Sequence, residues 1–173
     1  ETVTGEAICK LPSSSAASPA ADRQAPRMIL VRRSTILEAP PERVWALLRN
    51  FNGHDRWHPI VRDSHVERGL TFDRVGCVRN FHLQDGSNLR ELLLTLSDAD
   101  MAFSYCLLDT PVPLLNYVAH VRLSPVTDGD RTFWHWESRF DTPPGREKEL
   151  HDMVAANVYQ GGFDAIRAHL GVA

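Results

Sequence analysis

The chain has 173 residues, 43% of them hydrophobic and 24% charged, with a formal net charge of −3. Those values suit one globular domain with a real core, and they give no basic field for nucleic acid or an anionic membrane. No apolar run approaches the ~20 residues that would span a bilayer.

Three cysteines, Cys9, Cys77 and Cys106, are odd in number and lack metal-ligand spacing. They point away from a disulfide framework and towards a reducing, cytoplasmic compartment. Residues 1–27 stand apart in composition. Ser13-Ser14-Ser15, repeated alanine and Pro12, Pro19 and Pro26 offer too little apolar surface to offset chain entropy. The segment lacks the charged start and apolar centre of a secretory signal, and Glu1, Glu6 and Asp22 are wrong for a transit peptide. A flexible extension followed by a single domain over 28–173 is expected.

Met28 to Leu37 is β-rich and predicts a first strand. Pro40-Pro41-Glu42 opens a helix, since proline is tolerated in a first turn. Val44, Leu47, Leu48 and Phe51 form its apolar stripe, and Asn52-Gly53 ends it. A short second helix is expected from Asp55 to His58, before Pro59. Six strands follow: Ile60–Glu67, Gly76–Leu83, Ser87–Leu96, Ala102–Leu108, Leu114–Leu123 and Thr132–Phe140. Pro143-Pro144-Gly145 leads into the longest helix, Arg146 to Leu170, which Gly171 stops. Consecutive strands joined by short turns predict an antiparallel sheet. Seven such strands must curl, and one long helix can close the concave face. The expected fold is α+β and encloses a cavity.

One hairpin carries the chemistry. Arg79 and Glu91 lie twelve residues apart on strands joined near Gln84-Asp85-Gly86, among apolar neighbours. Two charges inside an apolar cavity are costly unless paired or used. A three-residue loop with Gly86 left-handed would set Arg79 directly opposite Glu91. A two-residue loop would pair Arg79 with Leu92 and turn Glu91 away, because a slip of one residue flips the face. The apolar pattern leaves both open: Leu92, Leu94 and Leu96 suit an interior better than Glu91, Leu93 and Thr95. With Glu91 inside, Leu92 and Leu94 fall on the outer face and suggest a homodimer contact.

The order of elements, with Ala39-Pro40-Pro41-Glu42-Arg43-Val44-Trp45 and Trp57-His58-Pro59, resembles the Bet v 1-like (START/polyketide-cyclase) superfamily and its helix-grip fold, over roughly Met28 to Leu170. Val75-Gly76-Cys77-Val78-Arg79, Arg90-Glu91-Leu92, the stretch from Met101 to Tyr105, and Asn116-Tyr117 are similar to a plant branch. That branch holds the abscisic-acid receptors, onion lachrymatory-factor synthase and fern hydroxynitrile lyase. The resemblance implies catalytic roles for Arg79 and Glu91 and pocket roles for Tyr105 and Tyr117. Tyr159 is placed like a tyrosine of the fern lyase, and Asn157 joins it on the last helix as a substrate contact. Phe81, Phe103 and Trp136 are expected to line the cavity. Leu83-Gln84-Asp85-Gly86-Ser87 stands where the receptors carry their gate loop, which counts against hormone reception.

Two functions follow as expectations. In the first, the chain is a cofactor-independent enzyme of lyase, isomerase or cyclase type, with Glu91 exchanging a proton and Arg79 holding a developing anion. In the second, the same cavity binds or carries a small hydrophobic ligand without changing it. A plain alternative for the charged pair is a structural ion pair in the barrel wall, and for each tyrosine an ordinary core position. His54 and His58 are four apart in a segment too short for a rigid ligand pair, and alternation turns His82 and His120 outward. No metal is expected. No Gly-rich phosphate loop follows a strand, so no nucleotide cofactor is expected either.

Overall fold

The computed structural model describes residues 27–173, so the expected extension, apart from Arg27, lies outside the described residues. The chain runs through β1 (Arg27–Leu37), α1 (Pro41–Leu48), a 3-10 turn (Gly53–Arg56), β2 (Val61–Val66), β3 (Val78–Leu83), β4 (Asn88–Ser97), β5 (Ala102–Asp109), β6 (Leu115–Val126) and β7 (Arg131–Thr142). It closes with one long helix: α2 (Glu147–Met153), a π-helical stretch (Val154–Gln160) and α3 (Gly161–Leu170). The strands form a single antiparallel sheet in the order β1-β7-β6-β5-β4-β3-β2. This is the expected helix-grip arrangement. The second short helix is a 3-10 turn that begins two residues earlier than expected.

Period-two alternation makes the concave face. On β7, Thr132, Trp134, Trp136, Ser138, Phe140 and Thr142 are all buried; on β6, Tyr117, Ala119, Val121 and Leu123 are. The long helix lays Leu150, Val154, Tyr159, Phe163 and Ile166 against that half of the sheet. Tyr159 stacks on Trp136 at 4.5 Å, and Phe163 meets Trp134 edge-on at 4.7 Å. Gly162 permits the approach: a Cβ there would lie 2.8 Å from Trp136 Cζ3. At the other end of the domain, α1 buries Val44, Trp45 and Leu48, and Asp98 accepts hydrogen bonds from Trp45 Nε1 (2.9 Å) and Arg49 Nε (2.7 Å). These bonds fix α1 to the turn between β4 and β5.

A bulge on β4 answers the ambiguous apolar pattern. Leu93 pairs with Tyr105, but Thr95 pairs with Ser104, which leaves Leu94 as the extra residue. Leu93 is fully buried and Leu96 packs against the core, although they lie three apart. Thr95 and Ser104 share a hydrogen bond of 2.6 Å. Leu92 and Leu94 are half-buried and stand outside the core cluster.

Candidate functional site

The β3–β4 turn sets the register on which everything else depends. Leu83 N donates to Ser87 O at 2.9 Å, and Gly86 N donates to Leu83 O at 3.0 Å. Gly86 takes φ +87°, the left-handed region that the three-residue loop requires. Arg79 therefore pairs directly with Glu91. Glu91 is 6% exposed, on the concave face.

The pair is asymmetric. Arg79 Nε donates to Glu91 Oε2 at 2.5 Å, and Nη2 bridges to the same oxygen. Arg79 Nη1 donates to the carbonyl of Phe51, also at 2.5 Å. Its guanidinium carbon lies 4.1 Å from the centre of the Phe51 ring and 5.4 Å from that of Tyr105. No described residue hydrogen-bonds the other carboxylate oxygen, Oε1. Burial pushes the Glu91 carboxyl above its ordinary pKa, and neighbouring Arg79 pulls it down only in part.

Both residues line a cavity of about 380 Å³ between the β3–β5 half of the sheet, the 3-10 turn and the long helix. Its wall is mostly apolar and mixes aromatic side chains such as Phe81, Phe103, Tyr105, Trp134 and Trp136 with aliphatic ones such as Leu48, Leu89, Val121 and Met153. The mouth lies among Ile60, Asp85, Pro111 and Asn157, all exposed. Seven of the nine residues singled out from the sequence thus meet around one space: Arg79, Glu91, Tyr105, Phe81, Phe103, Trp136 and Asn157.

The other two do not line it. Tyr117 and Tyr159 hydrogen-bond each other through their hydroxyls at 3.1 Å and stand behind the cavity wall. Tyr117 stacks on Phe140 at 5.7 Å, and Tyr159 on Trp136. The cause is strand position. Tyr105 pairs with Ala119, so Tyr117 lies two residues nearer the β5–β6 loop, where Phe140 and Tyr159 pack on it. The π-helical stretch sets the helix phase that turns Tyr159 onto the sheet. Direct contact of Tyr117 and Tyr159 with substrate is what the resemblance implies; in the structure both side chains pack in the core beside the cavity wall. Burial raises the pKa of Tyr105, Tyr117 and Tyr159 alike, so all three are neutral hydroxyls.

Sequence reading passed over His54, Trp57 and Trp134 as site residues. His54 lines the cavity at 7% exposure, edge-on to Phe81 at 4.5 Å. It continues the apolar stripe of α1 beyond Phe51 by three residues, and that spacing was the available signal. Burial, Arg79 and His58 hold its pKa well below the ordinary histidine value. Burial and Arg79 bring His58, also on the wall, down to about 4. His82 meets Asp63 on the outer side, and His120 is exposed. Among the described residues no group of three His, Cys, Asp or Glu side chains converges as metal ligands do. Nor is any helix among them long and apolar enough to cross a membrane.

A seven-stranded antiparallel sheet gripping a terminal helix around a ligand-sized hollow defines a helix-grip, Bet v 1-like protein. The chain belongs to the family described as polyketide cyclase/dehydrase and lipid transport, which matches residues 28–171. That membership makes it a domain for small hydrophobic ligands. Solved structures share the fold. An uncharacterized protein from Bacillus thuringiensis is 23% identical, with a TM-score of 0.71 over 82% of this chain and 98% of that one. Protein XoxI from Bacillus cereus is 24% identical, with a TM-score of 0.70 over 81% and 94%. A protein from Thermobifida fusca is 29% identical, with a TM-score of 0.71 over 79% and 89%. No curated protein matches the chain.

Proposed function

We propose that the chain is a cofactor-independent enzyme that isomerises, eliminates from or cyclises a small organic substrate by proton transfer. The observation that carries this reading is the asymmetric carboxylate. One oxygen of Glu91 is held by Arg79, and the other has no hydrogen-bond partner among the described residues, inside a mostly apolar cavity. Glu91 acts as acid and base. Its raised pKa brings it closer to neutrality, where a proton-transfer group works best. Arg79 supports negative charge that develops on the substrate, and the hydroxyl of Tyr105 orients a substrate oxygen. Replacing Glu91 by Gln keeps the shape and removes the proton exchange. Turnover of a substrate found by screening is expected to fall by ~100-fold or more while binding is largely kept. Near-full activity in that variant would remove Glu91 from the mechanism.

A second reading is a carrier. It is favoured by the commitment of Arg79 to Glu91 and the Phe51 carbonyl, which makes the ion pair a finished part of the wall. Native mass spectrometry that finds a bound compound released chemically unchanged would favour the carrier over the enzyme.

A further inference from the structure

His54 is a buried polar side chain that neither the fold nor the proposed chemistry uses. It is 7% exposed, and neither of its ring nitrogens meets a hydrogen-bond partner among the described residues. Leaving a buried polar atom unpaired is costly, because the group gives up its hydrogen bonds to water and gains none in return. A neutral imidazole has one N–H to donate and one lone pair to accept, so both capacities are open at once. Asn50 Oδ1, His58 Nδ1 and the indole N–H groups of Trp57, Trp134 and Trp136, on residues of the same wall, are also buried without a partner. The wall therefore offers unsatisfied acceptors and donors together, and His54, buried and edge-on to Phe81, supplies one of each.

Charge narrows the ligand further. The charged side chains on the wall are Arg79, Glu91 and, at the exposed mouth, Asp85. The wall thus carries one guanidinium and two carboxylates, and the guanidinium's donors already serve Glu91 and Phe51. An anionic ligand would add a third negative charge in an apolar space where charge is poorly solvated. The aromatic members of the wall, Phe81, Phe103, Tyr105, Trp134 and Trp136, suit a flat ring system. A volume of about 380 Å³ equals roughly a dozen water volumes, which matches a ligand of about that many non-hydrogen atoms.

We propose that the cavity selects an uncharged, planar ligand bearing a hydroxyl group, and that His54 reads this hydroxyl through one of its ring nitrogens. The proposal rests on the cavity being a ligand site, and the test separates the two. Isothermal titration at neutral pH compares 2-naphthol, naphthalene and 2-naphthoate on the wild-type protein and on His54→Phe and His54→Gln. Wild type is expected to prefer 2-naphthol over both others by about tenfold, the worth of one hydrogen bond. His54→Phe should bind naphthalene as before and lose the preference, and His54→Gln should keep part of it. If either variant fails to fold, the imidazole resonances of wild-type His54 should move with 2-naphthol and stay put with naphthalene. Equal binding of all three, tighter binding of 2-naphthoate, or a preference that survives in His54→Phe overturns the selectivity while leaving the ligand cavity standing. Failure of all three to bind overturns the cavity reading as well.

Discussion

Replacing Arg79 by Met would test the pairing inside the cavity at its most sensitive point. The side chains of Arg79 and Glu91 are only 11% and 8% exposed, so water cannot take over the lost partner. Three donations disappear, two to Glu91 Oε2 and one to the Phe51 carbonyl, along with the guanidinium over the Phe51 ring. Breaking a buried ion pair from one side costs about 3–5 kcal/mol, because the other charge stays behind unpaired. For a domain of this size that is roughly 6–20 °C in Tm. The sign with pH follows from linkage. With Arg79 gone, the folded-state pKa of Glu91 rises further above its unfolded value, so the native state holds the extra proton. The penalty should therefore shrink as pH falls from 7 towards 5 and grow as pH rises. Urea denaturation of wild type and Arg79→Met at both pH values reads it. The double variant Arg79→Met/Glu91→Leu should recover most of the loss, since no charge is left stranded. A single-variant cost below about 1 kcal/mol, or one independent of pH, would mean that the pair is solvated like a surface bridge and would refute the reasoning.

Three further outcomes follow. Gly162→Ala should push Trp136 off the helix into the cavity, cost about 1–3 kcal/mol in thermal denaturation, and weaken binding of the larger members of a ligand series. Tyr117→Phe should lose the bond to Tyr159, cost about 1 kcal/mol, and leave turnover near the wild-type level, whereas Tyr105→Phe should lower it; equal losses of turnover would place both tyrosines at the substrate. His54 and His58 have folded-state pKa values below their unfolded ones, so their contribution to stability is present above about pH 6.5 and is lost as pH falls towards 4. Denaturation midpoints across that range should fall on acidification, and His54→Phe/His58→Gln should flatten the fall.

The fold was legible because its signals are local and repeated. Pro40-Pro41, Asp85-Gly86, Asp128-Gly129 and Gly171 mark boundaries by backbone chemistry, and β7 alternates without interruption from Thr132 to Thr142. The partnership of Arg79 with Glu91 was legible only as one of two registers, since apolar alternation on β4 points both ways. The bulge at Leu94 reconciles Glu91, Leu93 and Leu96 on one face, and nothing in the sequence announces a bulge. Alternation gives the face on which Tyr117 lies but not the neighbours, Phe140 and Tyr159, that pack over it. For Tyr159, the π-helical stretch alters helix phase. His54 was set aside as half of an implausible metal pair, although its spacing from Phe51 placed it on the buried stripe.

The most direct measurement is a carbon-13 NMR titration of the Glu91 side-chain carboxyl, assigned with Glu91→Gln and repeated with 2-naphthol. A group enclosed in the cavity and held by Arg79 through one oxygen should titrate above the ordinary glutamate value of 4.5, and its resonance should move when the ligand enters. A carboxyl that titrates at or below that value, with a resonance indifferent to a bound ligand, would contradict the account.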